Sequence, residues 1–214
     1  MNHWPELKAD CMERLQYVIL FLLLALNSAN GQENIYLSKQ VDSLAREDQK
    51  WRGLYRKVNN FEIDTIDLAA VSEKIRMTDS LNFLIIKEWF EEYGYLGYEK
   101  VGKISSNNFW LLIQHADQYP EFQARVLAQM KIEAEKGNAS LVDFAYLTDR
   151  VKINSGQLQI YGTQMQLNST GTSYEPKLVT EPEKLNERRK QIKLPPIEDY
   201  IKIMNERYYG ILKR

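Results

Sequence analysis

His3 apart, His115 is the only imidazole of the chain, and it nearly closes the run Phe109-Trp110-Leu111-Leu112-Ile113-Gln114-His115-Ala116. An imidazole titrates near neutrality, which suits it to take or give a proton at a hydrolytic site. Apolar side chains surround this run almost completely, so a helix formed by it is buried. A buried imidazole or amide without partners costs on the order of 1 to 3 kcal/mol, so polar groups from elsewhere must meet Gln114 and His115 inside the fold. Asp48 is the first candidate, because it falls in an apolar stripe and Arg52 follows one turn later on the same face. Asp149 and Arg150 supply a second acid and base. In the functional reading, His115 is a general base or acid oriented by Asp48 or Asp149. Arg52 or Arg150 then holds an anionic group, while Tyr161 and Gln164 donate hydrogen bonds. In the alternative, the same groups form a satisfied network that fixes helix packing.

Other chemistries find less support. One histidine and scattered carboxylates lack the paired histidines at helical spacing of a zinc hydrolase, so no metal and no cofactor is expected. No Gly-x-Ser-x-Gly turn presents a serine, and the single cysteine, Cys11, lies near the N-terminus. Arg188-Arg189, with Lys190 and Lys193, reads either as an anion site or as a solvated basic face. Gln157 to Gln164 alternates glutamine and tyrosine with apolar residues, giving a strand face suited to sugars or peptides, with Gly162 marking a bulge or close approach.

The elements that must position these groups follow from periodicity. Val41, Leu44, Ala45, Trp51, Tyr55 and Val58 form one face of a helix over 36–58, and a second helical stretch runs over 65–93, broken near Thr78 and ended by Gly94. Residues 95–103 read as an ordered loop, followed by a helix over 105–116. A fourth helix opens at Pro120 and ends near Gly137, and Ser140 with Asp143 caps a fifth through Val151. A strand from Leu158, a turn at Asn168 to Gly171 and a return over 174–179 make a hairpin, with Pro176 at an edge. Thr180-Glu181-Pro182-Glu183 reads as a capping box for a short basic helix, which Pro195 and Pro196 stop before a closing amphipathic helix. The fold class is mainly α: an orthogonal multi-helix domain with one small antiparallel β-hairpin ahead of two C-terminal helices.

The 214 residues, 44% of them hydrophobic, suffice for one domain over 32–214. A formal charge of -1, from 28 basic and 29 acidic residues, gives no basic surface for nucleic acid. The apolar run Tyr17–Leu26, with Arg14 before it and Ala29 and Gly31 after it, reads as a signal peptide over 1–31 cut before Gln32. An uncleaved anchor or a core helix is the alternative; translation from Met12 would leave a tidier leader. Cys11 lies ahead of the apolar run, so no lipid anchor is expected, and a cut chain has no cysteine for disulfides. The expected product is periplasmic or secreted, with a small molecule, glycan or peptide as partner and no stable membrane anchor.

The chain resembles a bacterial family known as domain-of-unknown-function family 6624. The resemblance rests on Asp48-Gln49 with Arg52, Asp79 and Asn82, Val101-Gly102, and Gln114-His115-Ala116-Asp117. It continues through Asp149-Arg150, Gln159, Tyr161-Gly162-Thr163-Gln164, Arg188-Arg189 and Leu194 to Tyr200. The family tends to show Gly-Trp-Pro where this chain has Gly94-Tyr95-Leu96, and an aspartate where it has Asn186. The resemblance implies a shared fold, and export in many members, without an activity. The candidate set is His115, Asp48 and Asp149 as catalytic groups, with Gln49, Arg52, Gln114, Arg150, Gln159, Tyr161, Gln164 and Arg189 as binding groups.

Overall fold

The computed structural model of the chain describes residues 34–209; the expected leader and its cut before Gln32 lie outside the described residues. Helix α1 (Ile35–Asn59) opens on Asn34, whose side chain accepts from the Leu37 amide at 3.0 Å, and it turns Leu37, Val41, Ala45 and Asp48 inward. Helix α2 (Leu68–Tyr93) opens on Asp67 and ends at Gly94, which takes the positive φ of 70° that glycine tolerates best. It is not broken near Thr78. There the hydroxyl donates to the Lys74 carbonyl at 2.8 Å, a bond made within the helix rather than in competition with it.

Helix α3 (Tyr98–Gln114) starts earlier than its apolar run suggests. Of the loop expected over 95–103, residues 95–97 are non-helical, while from Tyr98 on it is a helical turn joined to the buried helix by a kink at Gly102, with φ 75° and ψ 163°. Helix α4 (Pro120–Glu135) and helix α5 (Leu141–Asn154) follow, the latter capped by Ser140, whose hydroxyl accepts from the Asp143 amide at 3.1 Å. Helix α1 packs on α2 and α3, and α4 on α5. Val41, Ile86, Leu96, Phe109, Ile113, Val126, Met130 and Leu147 fill the space between them. Each large apolar side chain so buried contributes roughly 1.5 to 3 kcal/mol.

Strands β1 (Met165–Leu167) and β2 (Tyr174–Pro176) pair antiparallel, Met165 opposite Pro176 and Leu167 opposite Tyr174. The hairpin therefore begins after Gln164. Residues 157–164, expected as its first strand, make a single parallel bridge, between Gln159 and Val179, together with isolated hydrogen bonds to Lys177, Leu178 and Thr180. The amides of Ile160, Tyr161 and Thr163 are drawn toward α5, as described below, rather than into a ladder. Helix α6 (Leu185–Gln191), led by a tight turn at Pro182–Lys184, and helix α7 (Ile197–Met204) complete the mainly helical architecture, with one antiparallel hairpin ahead of two C-terminal helices. The expected capping box does not form: Glu181 takes φ 41° and makes no side-chain cap bond, while Arg188 binds the Thr180 and Glu181 carbonyls. No helix among the described residues is long and apolar enough to cross a membrane.

Candidate functional site

His115 is the C-terminal cap of α3, where the helix releases its backbone and the ring can turn toward α1. Its Nδ1 lies 3.0 Å from Asp48 Oδ1 and 3.0 Å from Arg52 Nε. Arg52 Nε also donates to Asp48 Oδ1 at 3.1 Å, and its Nη2 reaches Asp79 Oδ1 of α2 at 2.5 Å. Gln49 donates to the second Asp48 oxygen at 2.8 Å. Three helices thus meet through four titratable or charged side chains.

One hydrogen cannot serve both neighbours of Nδ1. A bare Nδ1 would accept from Arg52 yet point its lone pair at a carboxylate; a protonated Nδ1 donates to Asp48 while Arg52 donates to the same oxygen. We assign the proton to Nδ1, because a buried carboxylate needs donors. The Nε2 then carries the lone pair, and it makes no hydrogen bond among the described residues.

The two carboxyls of the cluster are driven apart. Burial pushes Asp48 up, but the hydrogen bond from His115, the charges of His115 and Arg52, and the Gln49 amide outweigh it and hold Asp48 below its ordinary value. At Asp79 burial prevails over Arg52 and pushes the group up. Asp48, Asp79 and His115 also bring donor atoms within 4.8 Å of one another, a spacing a metal ion could span. Arg52 pairs with both aspartates and its Nε lies 3.0 Å from the ring nitrogen, so any such ion would have to displace its guanidinium.

Beside this cluster lies a second network. Gln114 accepts from Arg150 Nε at 3.0 Å, and Arg150 Nη1 pairs with Asp117 at 2.6 Å. Asn154 donates to the other Asp117 oxygen at 3.0 Å, and Gln123 caps the end of α3 by donating to the Ile113 carbonyl at 3.0 Å. The buried amide nitrogens of Gln114 and Asn82 make no hydrogen bond among the described residues.

Asp149, the second expected partner of His115, bonds elsewhere. Its carboxylate, fully buried on α5, accepts from the amides of Ile160 at 2.7 Å, Tyr161 at 3.0 Å and Thr163 at 2.9 Å, and from the Thr163 hydroxyl at 2.9 Å. Gln159, also fully buried, acts as surrogate backbone: its amide donates to the Gln164 and Lys177 carbonyls and accepts from the Gln164 amide. Arg189, 1% exposed, donates to the carbonyls of Pro195 and Tyr161 and lies over the Tyr200 ring at 5.2 Å. Arg188 donates to Ile160 O at 2.9 Å. Arg188 and Arg189 are thus spent on backbone carbonyls, while Lys190 and Lys193, expected with them, are exposed. Tyr161 and Gln164 belong to this scaffold, and Gly162 packs so closely that a Cβ there would meet Ile197 Cδ1 at 3.1 Å.

The structure thus divides the expected single cluster. Asp48, Gln49, Arg52 and His115 come together; Gln114 and Arg150 stand next to them; Asp149, Gln159, Tyr161, Gln164 and Arg189 hold the loop before the hairpin. Asp79 is the group that periodicity missed. Its signal is an acid at 79 with Asn82 one turn on, the pair that also carries the family resemblance. A cavity of about 550 Å³ beside Tyr93, Lys100 and Asn138 contains none of the expected residues.

The model of a family of unknown function, DUF6624, matches residues 48–213. The chain belongs to DUF6624. No curated protein and no solved structure matches it. The span matched by the DUF6624 model opens on Asp48 and takes in Arg52, Asp79 and His115, so the whole cluster lies within the family region. The Asn186 side-chain oxygen accepts from the Ile197 amide at 2.8 Å and caps α7, a bond that a carboxylate could also accept.

Proposed function

We propose that this DUF6624 chain is an exported bacterial protein, delivered to the periplasm or the medium, that holds a small polar ligand, a glycan or a peptide at the His115 cluster. The observation supporting this reading is the graded exposure of the cluster. The Asp48 side chain is 1% exposed, whereas Arg52 is 22% and Asp79 and His115 are each 16%. A dry foot under a wet mouth strengthens each charge-assisted hydrogen bond that a ligand makes there. Export rests on the apolar run Tyr17–Leu26 and the small residues after it. A thermal-shift screen of the purified chain against glycans, peptides, phosphate esters and carboxylic acids tests the binding reading. A ligand that raises Tm of the wild type but not of His115→Asn supports it. Silence from every class, or a shift indifferent to that substitution, contradicts it.

The ring's anchoring favours a second reading, a metal-independent hydrolase. With Nδ1 committed to Asp48, the free Nε2 suits a general base that takes a proton from water, and Asp48 is then a positioning residue. Hydrolysis of an ester or phosphoester by the wild type, abolished in His115→Gln, is the expected result. Turnover that survives this substitution overturns the reading.

A further inference from the structure

Next to the His115 cluster, Arg52, Tyr55 and Arg56 of α1 face Ser72 and Ile75 of α2 across an open groove of about 340 Å³. That volume lies at the low end for sites that hold small molecules. Arg52 is the residue common to cluster and groove. Its Nε and Nη2 are committed to Asp48 and Asp79, while its Nη1 makes no hydrogen bond among the described residues. One turn on, the Arg56 guanidinium has no ion-pair partner among the described residues, and no carboxylate lines the groove. Two guanidinium groups at this spacing repel each other by a few tenths of a kcal/mol, a cost that an anion between them turns into attraction. Tyr55 and Ile75 give the walls an apolar surface, and the Ser72 hydroxyl, donating to the Leu68 carbonyl at 2.8 Å, keeps its lone pairs for an incoming donor.

We propose that this groove binds the carboxylate or phosphate of a small organic anion, with Arg56 as its main charge contact, Arg52 as its second, and the apolar body of the ligand between Tyr55 and Ile75. This rests on the binding reading above and names its ligand class. An anion held on Arg52 sits one residue from the His115 ring, so occupancy of the groove bears on the cluster through the guanidinium they share.

Isothermal titration of the full chain at constant ionic strength tests this with inorganic phosphate, benzoate and the neutral control benzyl alcohol. Saturable binding of benzoate or phosphate is expected, with roughly millimolar affinity or better, while benzyl alcohol binds at least tenfold more weakly. The two anions distinguish a carboxylate from a phosphate ligand. Arg56 is exposed, so Arg56→Gln should leave Tm unchanged and weaken the bound anion at least tenfold, with Arg56→Lys recovering part of the loss. Absence of saturable binding by both anions, equal binding of the neutral control, or unchanged binding by Arg56→Gln overturns the proposal. A neutral glycan that stabilises the wild type while both anions fail would sink this inference and leave the broader binding reading in place.

Discussion

Asp48 and His115, 67 residues apart in the chain, meet at 3.0 Å and so join the middle of α1 to the end of α3. The contact fixes the ring at one nitrogen and leaves the other available. It also makes the carboxylate depend on its partners, since Asp48 is almost wholly removed from water. A buried charge whose partner is deleted destabilises a fold by about 3 to 5 kcal/mol, far more than an exposed pair.

The two aspartates should therefore respond differently to acid. The folded-state value of Asp48 is lowered, so its contribution is complete above its unfolded value and is lost as pH falls through the folded one. Asp79 is raised, so its ionisation costs stability as pH climbs past the ordinary carboxylate range. At pH 7, Asp48→Asn should cost about 3 kcal/mol and Asp79→Asn about 1 kcal/mol or less, and the first cost should shrink below pH 4. Urea denaturation at pH 7 and pH 3.5 checks both; equal costs, or a cost of Asp48→Asn that grows in acid, would refute the assignment.

Asp149 anchors the loop before the hairpin, so Asp149→Ala strands several amide donors at once. A loss of about 3 to 5 kcal/mol is expected. Hydrogen exchange at Ile160, Tyr161 and Thr163 should accelerate first, because those amides bond this carboxylate. Protection that persists there would show that the loop is held by other means.

Asp143, in the first turn of α5, is pushed up to about 6 by burial, which the Ser140 hydroxyl offsets only in part. Its raised value means that stability falls as pH rises from about 4 to 6, because the folded state holds the proton longer. Asp143→Asn should raise Tm at pH 7.5 and change little at pH 4. A lower Tm at pH 7.5 would contradict this.

Much of this was legible in the chain because local rules and burial agreed. Helix α1, the Gly94 stop, the Ser140 cap and the proline break before α7 each follow from periodicity or capping chemistry that tertiary contacts leave intact. The Asp48–Arg52 pair was legible for the same reason, being one turn apart on an apolar stripe. What sequence could not resolve were choices made across distance. Asp48 and Asp149 looked equivalent as partners for His115, and only the packing of α3 on α1 separates them. Residues 157–164 alternate like a strand, yet the amides of Ile160, Tyr161 and Thr163 go to Asp149 of α5 and the Gln159 side chain goes to the Gln164 and Lys177 backbone, so no ladder forms. The break expected near Thr78 does not occur, and the Thr78 hydroxyl bonds the Lys74 carbonyl within the helix.

Nitrogen-15 correlation spectra of histidine-labelled protein test the central claim most directly, because they report which ring nitrogen of His115 bears the proton in the neutral state. The account predicts an Nδ1–H tautomer with a bare Nε2, shifting toward the Nε2–H form in Asp48→Ala. A wild-type ring protonated at Nε2, with Nδ1 accepting from Arg52, would contradict it.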